Sequence, residues 1–158
     1  MKKLLPLILI PVITTLLIGC STKYTELKTP KVPESTYQNL FVSNINYDKS
    51  TRAISFKTEN KGTTELTTGL FYTIEKYDKK DGWIKTNLTD NLVVIEIALI
   101  IKPGKAIDEK IDMSQIAPLN DGYYRVVKLY NDGENTIVQY IQFEVSGDKL
   151  FNFSTYNK

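Results

Sequence analysis

Apolar and polar residues alternate in short runs through most of the chain, but its first part follows a different pattern. Residues 4–18 are rich in Leu and Ile and hold no charge. Residues 21–36 are polar, contain two prolines and show no hydrophobic period. From Leu40 onward, apolar positions recur at every second residue between turn-forming residues, a pattern typical of strands with one buried face.

The strand-like runs follow one another at short spacing. They predict strands at residues 40–47, 53–59, 69–77, 83–88, 92–101, 105–111, 123–130 and 136–145. By its period the run at 92–101 could be a buried helical turn or a buried strand, but its β-branched residues and the following Pro103-Gly104 favour a strand. A short helical turn is expected at 113–116. Residues 147–158 are expected to add an edge strand or to fray.

Composition agrees with an all-β domain. Ile, Val, Thr, Tyr and Phe are abundant and Ala is scarce, and β-branched and aromatic residues favour the pleated, half-buried surface of a sheet. The chain has 158 residues, which is enough for one domain with a real core. The pattern of short strands therefore predicts an all-β sandwich or barrel.

The single cysteine closes the run Leu17-Ile18-Gly19-Cys20. A basic start, an apolar run and small residues before a cut site describe a secretory signal peptide. This run resembles the lipobox of bacterial lipoproteins, which implies cleavage between Gly19 and Cys20 and a diacylglycerol on Cys20. A plain signal peptide or an uncleaved membrane helix are the alternatives, but residues 4–18 are short of the ~20 residues that a spanning helix needs.

The resemblance implies a lipid-anchored protein on the outer face of the cell membrane. The residue usage suggests an AT-rich genome and hence a Gram-positive source. The predicted organisation is a signal peptide at 1–19, the lipidated cysteine and a flexible tether at 20–36, a sandwich at 37–146 and a tail at 147–158. Lys2 and Lys3 leave with the signal, so 18 basic residues then balance 18 acidic ones. No nucleic-acid partner is expected of such a surface.

One segment suggests a particular sandwich. Leu119, Gly122 and Tyr124 form a Leu-x-x-Gly-x-Tyr run that enters a late strand, and this run resembles the tyrosine corner of immunoglobulin-like Greek-key domains. The resemblance implies that the Tyr124 hydroxyl bonds back to the backbone of residues 119–121. Val126 stands where antibody-type domains have their second sandwich cysteine.

Further pieces are similar to bacterial immunoglobulin-like domains of surface lipoproteins. These are residues 72–76 with the lone Trp83 after them, the pair Pro103-Gly104, and the closing run 140–145. The resemblance covers residues 66–145 and implies an antiparallel Greek-key sandwich of about 7–9 strands. It also implies that Trp83 plugs the core.

The absence of histidine limits the chemistry that the chain can perform. Without His, and with the only Cys acylated, neither Ser–His nor Cys–His catalysis nor the usual zinc ligand sets can be assembled. The acid pairs Asp78/Asp81, Asp108/Glu109 and Asp132/Glu134 are interpreted as solvated acids of turns and strand faces. Calcium in the same loops is an alternative. We therefore expect no enzyme, no cofactor and no metal site.

Tyrosines crowd one predicted hairpin: Tyr123, Tyr124, Tyr130 and Tyr140. They could belong to the sandwich core, or they could line a surface that stacks on sugars or anchors a protein partner.

The favoured function is a lipid-anchored, non-enzymatic binding or structural domain outside the membrane. An accessory or sensor subunit that docks on a membrane or cell-wall protein by edge-strand addition is the first alternative, and a carbohydrate-binding module is a more distant one. An unprotected edge strand or a large apolar patch would favour the docking subunit.

Overall fold

Ten β-strands follow one another in the computed structural model, which describes residues 29–158. Gly19 and Cys20 lie outside the described residues. The strands are β1 (Leu40–Asp48), β2 (Ala53–Asn60), β3 (Leu66–Thr68), β4 (Thr73–Asp78), β5 (Gly82–Lys85), β6 (Leu99–Ile101), β7 (Ala106–Asp112), β8 (Gly122–Asn131), β9 (Thr136–Ser146) and β10 (Lys149–Asn157).

The strands form two antiparallel sheets. The smaller sheet has the order β1-β2-β7, and the larger one has the order β10-β9-β8-β3-β6, with β4 joining β8 and β5 joining β4. Both β3 and β4 pair with β8, at residues 130–131 and 124–127 respectively. They therefore lie end to end along β8, and this places β5 and β6 at the same edge of the larger sheet.

The core lies between the two sheets and follows the alternation of the strands. Ile54 and Phe56 of β2 face Val126 of β8 and Ile141 and Phe143 of β9, all almost completely buried. The chain crosses from the smaller to the larger sheet after β2, returns at β7 and crosses again to β8. This confirms the predicted immunoglobulin-like sandwich, with ten strands in place of about 7–9.

Four local predictions are wrong, and one of them is the strand predicted at 83–88, which ends at Lys85. Of the strand predicted at 92–101, only the last three residues form β6. The strand predicted at 69–77 begins only at Thr73, since residues 69–72 are irregular. A short strand that was not predicted, β3, lies before them. The helical turn expected at 113–116 is a turn in which the Ile116 N–H bonds the Met113 carbonyl at 3.4 Å, without a helix.

The end of the predicted tether is bonded to the larger sheet. The Gln142 amide donates to the Pro30 carbonyl at 3.2 Å, and the Thr36 N–H donates to the Asn157 carbonyl at 3.0 Å. Pro30 is buried. The packed part of the chain thus begins ahead of the predicted boundary at residue 37, and residues 149–157 form the edge strand β10 rather than a frayed end.

Candidate binding surfaces

The acids of the hairpin loops serve their own turns. The Asp78 carboxylate accepts hydrogen bonds from the backbone N–H groups of Lys80 and Asp81, at 2.7 and 3.1 Å. These bonds lower the pKa of Asp78, and Asp132 is held in the same way in the loop between β8 and β9. No group of three or more potential metal ligands forms among the described residues.

The interpretation of the acid pairs as solvated is wrong for Glu109. It is buried and pairs with the buried Lys128 across the two sheets, at 3.2 Å between Oε2 and Nζ. Its Oε1 accepts hydrogen bonds from the Thr58 and Tyr130 hydroxyls, each at 2.5 Å. Burial raises the pKa of Tyr130 well above its ordinary value, and the adjacent carboxylate raises it further. With both carboxylate oxygens bonded to residues of other strands, Glu109 joins the two sheets.

The four tyrosines of the β8–β9 hairpin do not form one surface. Tyr124 and Tyr130 face the interior with Val126, whereas Tyr123 and Tyr140 lie on the opposite face of the larger sheet. The ring of Tyr124 stacks on Phe143, with centroids 6.2 Å apart. The predicted ring-lined patch therefore divides between the core and the outer face.

The predicted tyrosine corner has the position and burial that it needs. Gly122 has a φ of 144°, and a Cβ there would lie 3.4 Å from Lys76 Cε, so the backbone favours glycine. Leu119 packs against the core cluster that contains Tyr124. Among the described residues, however, no hydrogen bond joins the Tyr124 hydroxyl to residues 119–121, so the corner bond stays a prediction.

An arginine organises the aromatic residues of the outer face. The Arg125 guanidinium lies 4.5 Å from the Trp83 ring centroid and 4.2 Å from that of Tyr140. It also pairs with Glu75, at 2.7 Å from Nε, and bonds the Tyr156 hydroxyl. Trp83 is thus a partly exposed residue of this cluster, and the expectation that it plugs the core is wrong. Because Arg125 contacts the rings, the cluster fastens β4, β5, β9 and β10 to β8.

Among the described residues, the two most exposed large apolar side chains, Val93 and Ile95, lie in the segment that leads into β6, an edge strand of the larger sheet. Val93 is 79% exposed, Ile95 70% and Ile100 52%. Residues 93–97 make no hydrogen bond to any described residue, and β6 pairs with β3 on one side only. We call residues 93–101 the open edge. An unpaired, apolar backbone of this kind is a template for a further strand.

A small cavity lies at one end of the sandwich. It has a volume of about 240 Å³ and is walled mainly by apolar side chains. Its charged residues are already engaged, since Lys49 pairs with Asp148 and Arg52 donates to the Ile116 carbonyl at 2.9 Å. The cavity therefore offers apolar contacts and few free polar groups.

Comparison with known families identifies the domain. Residues 34–144 match the model of the family described as bacterial Ig-like domain, which is more than half of the chain. The chain belongs to the bacterial Ig-like domain family. No curated protein matches the sequence.

The Ig-like match contains both surfaces on the larger sheet. It spans Trp83, Arg125 and the whole open edge, and it ends within β9. In residues 29–158 no helix is long and apolar enough to cross a membrane. The sequence did not reveal the open edge as a surface, because its hydrophobic run is equally typical of a buried strand.

Proposed function

We propose that this Ig-like protein is a lipid-anchored, non-enzymatic binding protein outside the cell membrane, and that it takes up an extended protein segment at the open edge. This is the docking alternative that the sequence left open. The partner that fits the edge is a strand with apolar side chains, since the edge carries one charge, Glu96, among nine residues.

The anchor in this proposal is Cys20. Two acyl chains on one cysteine give stable membrane attachment, whereas one chain gives only marginal binding. Residues 21–28 then separate the anchor from the bonded segment that starts at Thr29, and at about 3.3 Å per residue they reach roughly 25 Å at most. The domain would stand close to the membrane surface, within reach of proteins embedded there.

One observation carries the binding role: the open edge combines exposed apolar side chains with a backbone that is unpaired at residues 93–97 and paired on one side only, to β3, at residues 99–101. Strand addition would satisfy both features at once, because the backbone groups pair and alternate side chains are covered. The aromatic cluster is less available, since Arg125 already contacts its rings.

Site-specific photo-cross-linking in intact cells tests this role. A photoreactive side chain at Ile95 should give a covalent adduct of discrete size. The same group at Ser55, exposed on the smaller sheet, is the matched control and should give none. Ile97→Lys should weaken the Ile95 adduct, because it places a charge within the apolar edge. Equal labelling from Ile95 and Ser55 would contradict binding at the open edge.

A further inference from the structure

The two charges nearest the centre of the open edge are arranged symmetrically. Glu96 lies three residues before Leu99, and Lys102 lies three residues after it. Both side chains are exposed, and neither forms an ion pair with another described residue. Only apolar residues stand between them. Two copies of such a segment that run antiparallel can therefore place each negative charge opposite a positive one.

The alternation within β6 shows which face each of its residues takes. Ile100 points away from the core and Ile101 into it, with 52% and 0% exposure. Residues 92–98 are irregular in the unpaired chain; if pairing extended β6 over residues 96–102, the same alternation would set Glu96, Ala98, Ile100 and Lys102 on one face. Pro103 then ends the segment, because proline has no N–H to donate to a further pair.

We propose that the strand taken up at the open edge belongs to a second copy of this chain, paired antiparallel about a two-fold axis at Leu99. This inference rests on the proposed binding at the open edge and names its partner. In this register Glu96 faces Lys102 of the other copy, and Ala98 faces Ile100. Each pair occurs twice because the interface is symmetric.

The charges favour this register over a pairing centred on Glu96. An axis at Glu96 would set the two Glu96 carboxylates opposite each other, and like charges directly opposite are destabilising. An axis at Leu99 forms two ion pairs and also brings Ile95 against the exposed Pro103 of the other copy. Attachment of both copies to one membrane would raise their effective concentration, so that a short interface suffices.

Register-specific cross-linking tests the pairing. Two differently tagged full-length chains are produced together in membranes, one with Ala98→Cys and the other with Ile100→Cys. Directly opposed positions lie within disulfide range, whereas the diagonal neighbours formed in either variant alone are about 7–8 Å apart. Mild oxidation should therefore give roughly tenfold more covalent dimer from the mixture than from either variant alone. The parent chain, with Cys20 only, controls for any unacylated Cys20.

Charge reversal in the same cross-linking background gives a second readout. Glu96→Lys should reduce the cross-linked dimer by setting two cations opposite each other at both ends, and Lys102→Glu should reduce it through two carboxylates. The double reversal should restore the dimer, because it exchanges the charges and keeps the pairs. These positions are exposed, so folding is not at stake.

Either of two cross-linking results would overturn the second copy as partner: equal cross-linking from the mixture and from the single variants, or a double reversal as weak as each single one. An Ile95 photo-adduct with a different protein, in the absence of the dimer, would also overturn this inference while leaving binding at the open edge in place. If Ile95 gave no adduct at all, both the second copy as partner and binding at the open edge would be contradicted.

Discussion

Glu109 and Lys128 place an ion pair between the two sheets, and their neighbours explain why the fold tolerates it. The charged groups have partners: Glu109 and Lys128 bind each other, Glu109 also accepts from two hydroxyls, and Lys128 donates to the Gly69 carbonyl. Alternation along the strands could have revealed both residues. Glu109 has the parity of Ile107 and Ile111, and Lys128 that of Val126 and Tyr130.

Removal of one member of this pair should be strongly destabilising. Lys128→Met leaves the Glu109 carboxylate buried without its cation, which we expect to lower the free energy of unfolding by about 3–5 kcal/mol. Chemical denaturation at neutral pH measures the change. Glu109→Gln combined with Lys128→Met should recover part of the loss, because the Gln carbonyl can still accept from Thr58 and Tyr130. A loss below about 0.5 kcal/mol, typical of surface substitutions, would contradict the buried pair.

Tyr72 should make the domain sensitive to alkali. Its hydroxyl donates to the Asp112 carbonyl at 2.6 Å, and burial raises its pKa to about 12. The folded state therefore favours the neutral phenol. The stability that Tyr72 contributes in this way is complete below about pH 10, the ordinary pKa of tyrosine. It is lost as the pH rises through the pKa of Tyr72 in the folded state. Over that range the free energy of unfolding should fall by about 1.4 kcal/mol per pH unit from this group.

Denaturation of the parent and of Tyr72→Phe between pH 8 and 12 separates this contribution from those of other groups. The variant should start less stable, by about 1 kcal/mol for the lost hydrogen bond, and should lose less stability on going to high pH. Parallel curves for the two proteins would show that Tyr72 does not titrate as described.

At the scale of elements, the hydrophobic period located the long strands well. Strands β1, β2, β7, β8 and β9 lie within one residue of the predicted ends. The prediction at 92–101 failed because the hydrophobic period reports only which residues favour a strand, whereas a strand also needs a neighbouring strand to pair with. The partner β3 has only three residues. Trp83 was misplaced for a related reason: an aromatic in a strand can face either side of the sheet.

Asn157 connects the two ends of the described chain. Its side chain accepts from the Tyr37 N–H at 2.9 Å and donates to the Leu40 carbonyl at 3.2 Å, and it is buried. Asn157→Ala should lower the free energy of unfolding by about 1–3 kcal/mol, since two backbone groups lose their partner.

Limited proteolysis provides the second readout for Asn157, with faster cleavage expected near residues 29–37. Asn87→Ala, at an exposed loop position, is the matched control and should stay within about 0.5 kcal/mol of the parent. Equal cleavage of the two variants would show that Asn157 does not hold the N-terminal segment.

At the scale of the whole molecule, an Ig-like sandwich is joined to a predicted lipid anchor. Replacement of Cys20 by Ser should leave the domain folded and move it out of the membrane fraction, because the acylated thiol is lost. Cell fractionation with an antibody to the domain measures this, and Ser21→Ala should keep the protein on the membrane. Retention of a signal-free Cys20→Ser protein on washed membranes would contradict anchoring by acylation.

The central claim is that residues 93–97 and the outer side of β6 are unpaired in the isolated protein and pair when a partner binds. Amide hydrogen exchange over residues 93–101 tests this directly, with the protein first dilute in detergent and then in its own membrane. Strand addition predicts slow exchange in the membrane at alternate amides that exchange fast in the dilute sample. Equally fast exchange of these amides in both samples would contradict the account.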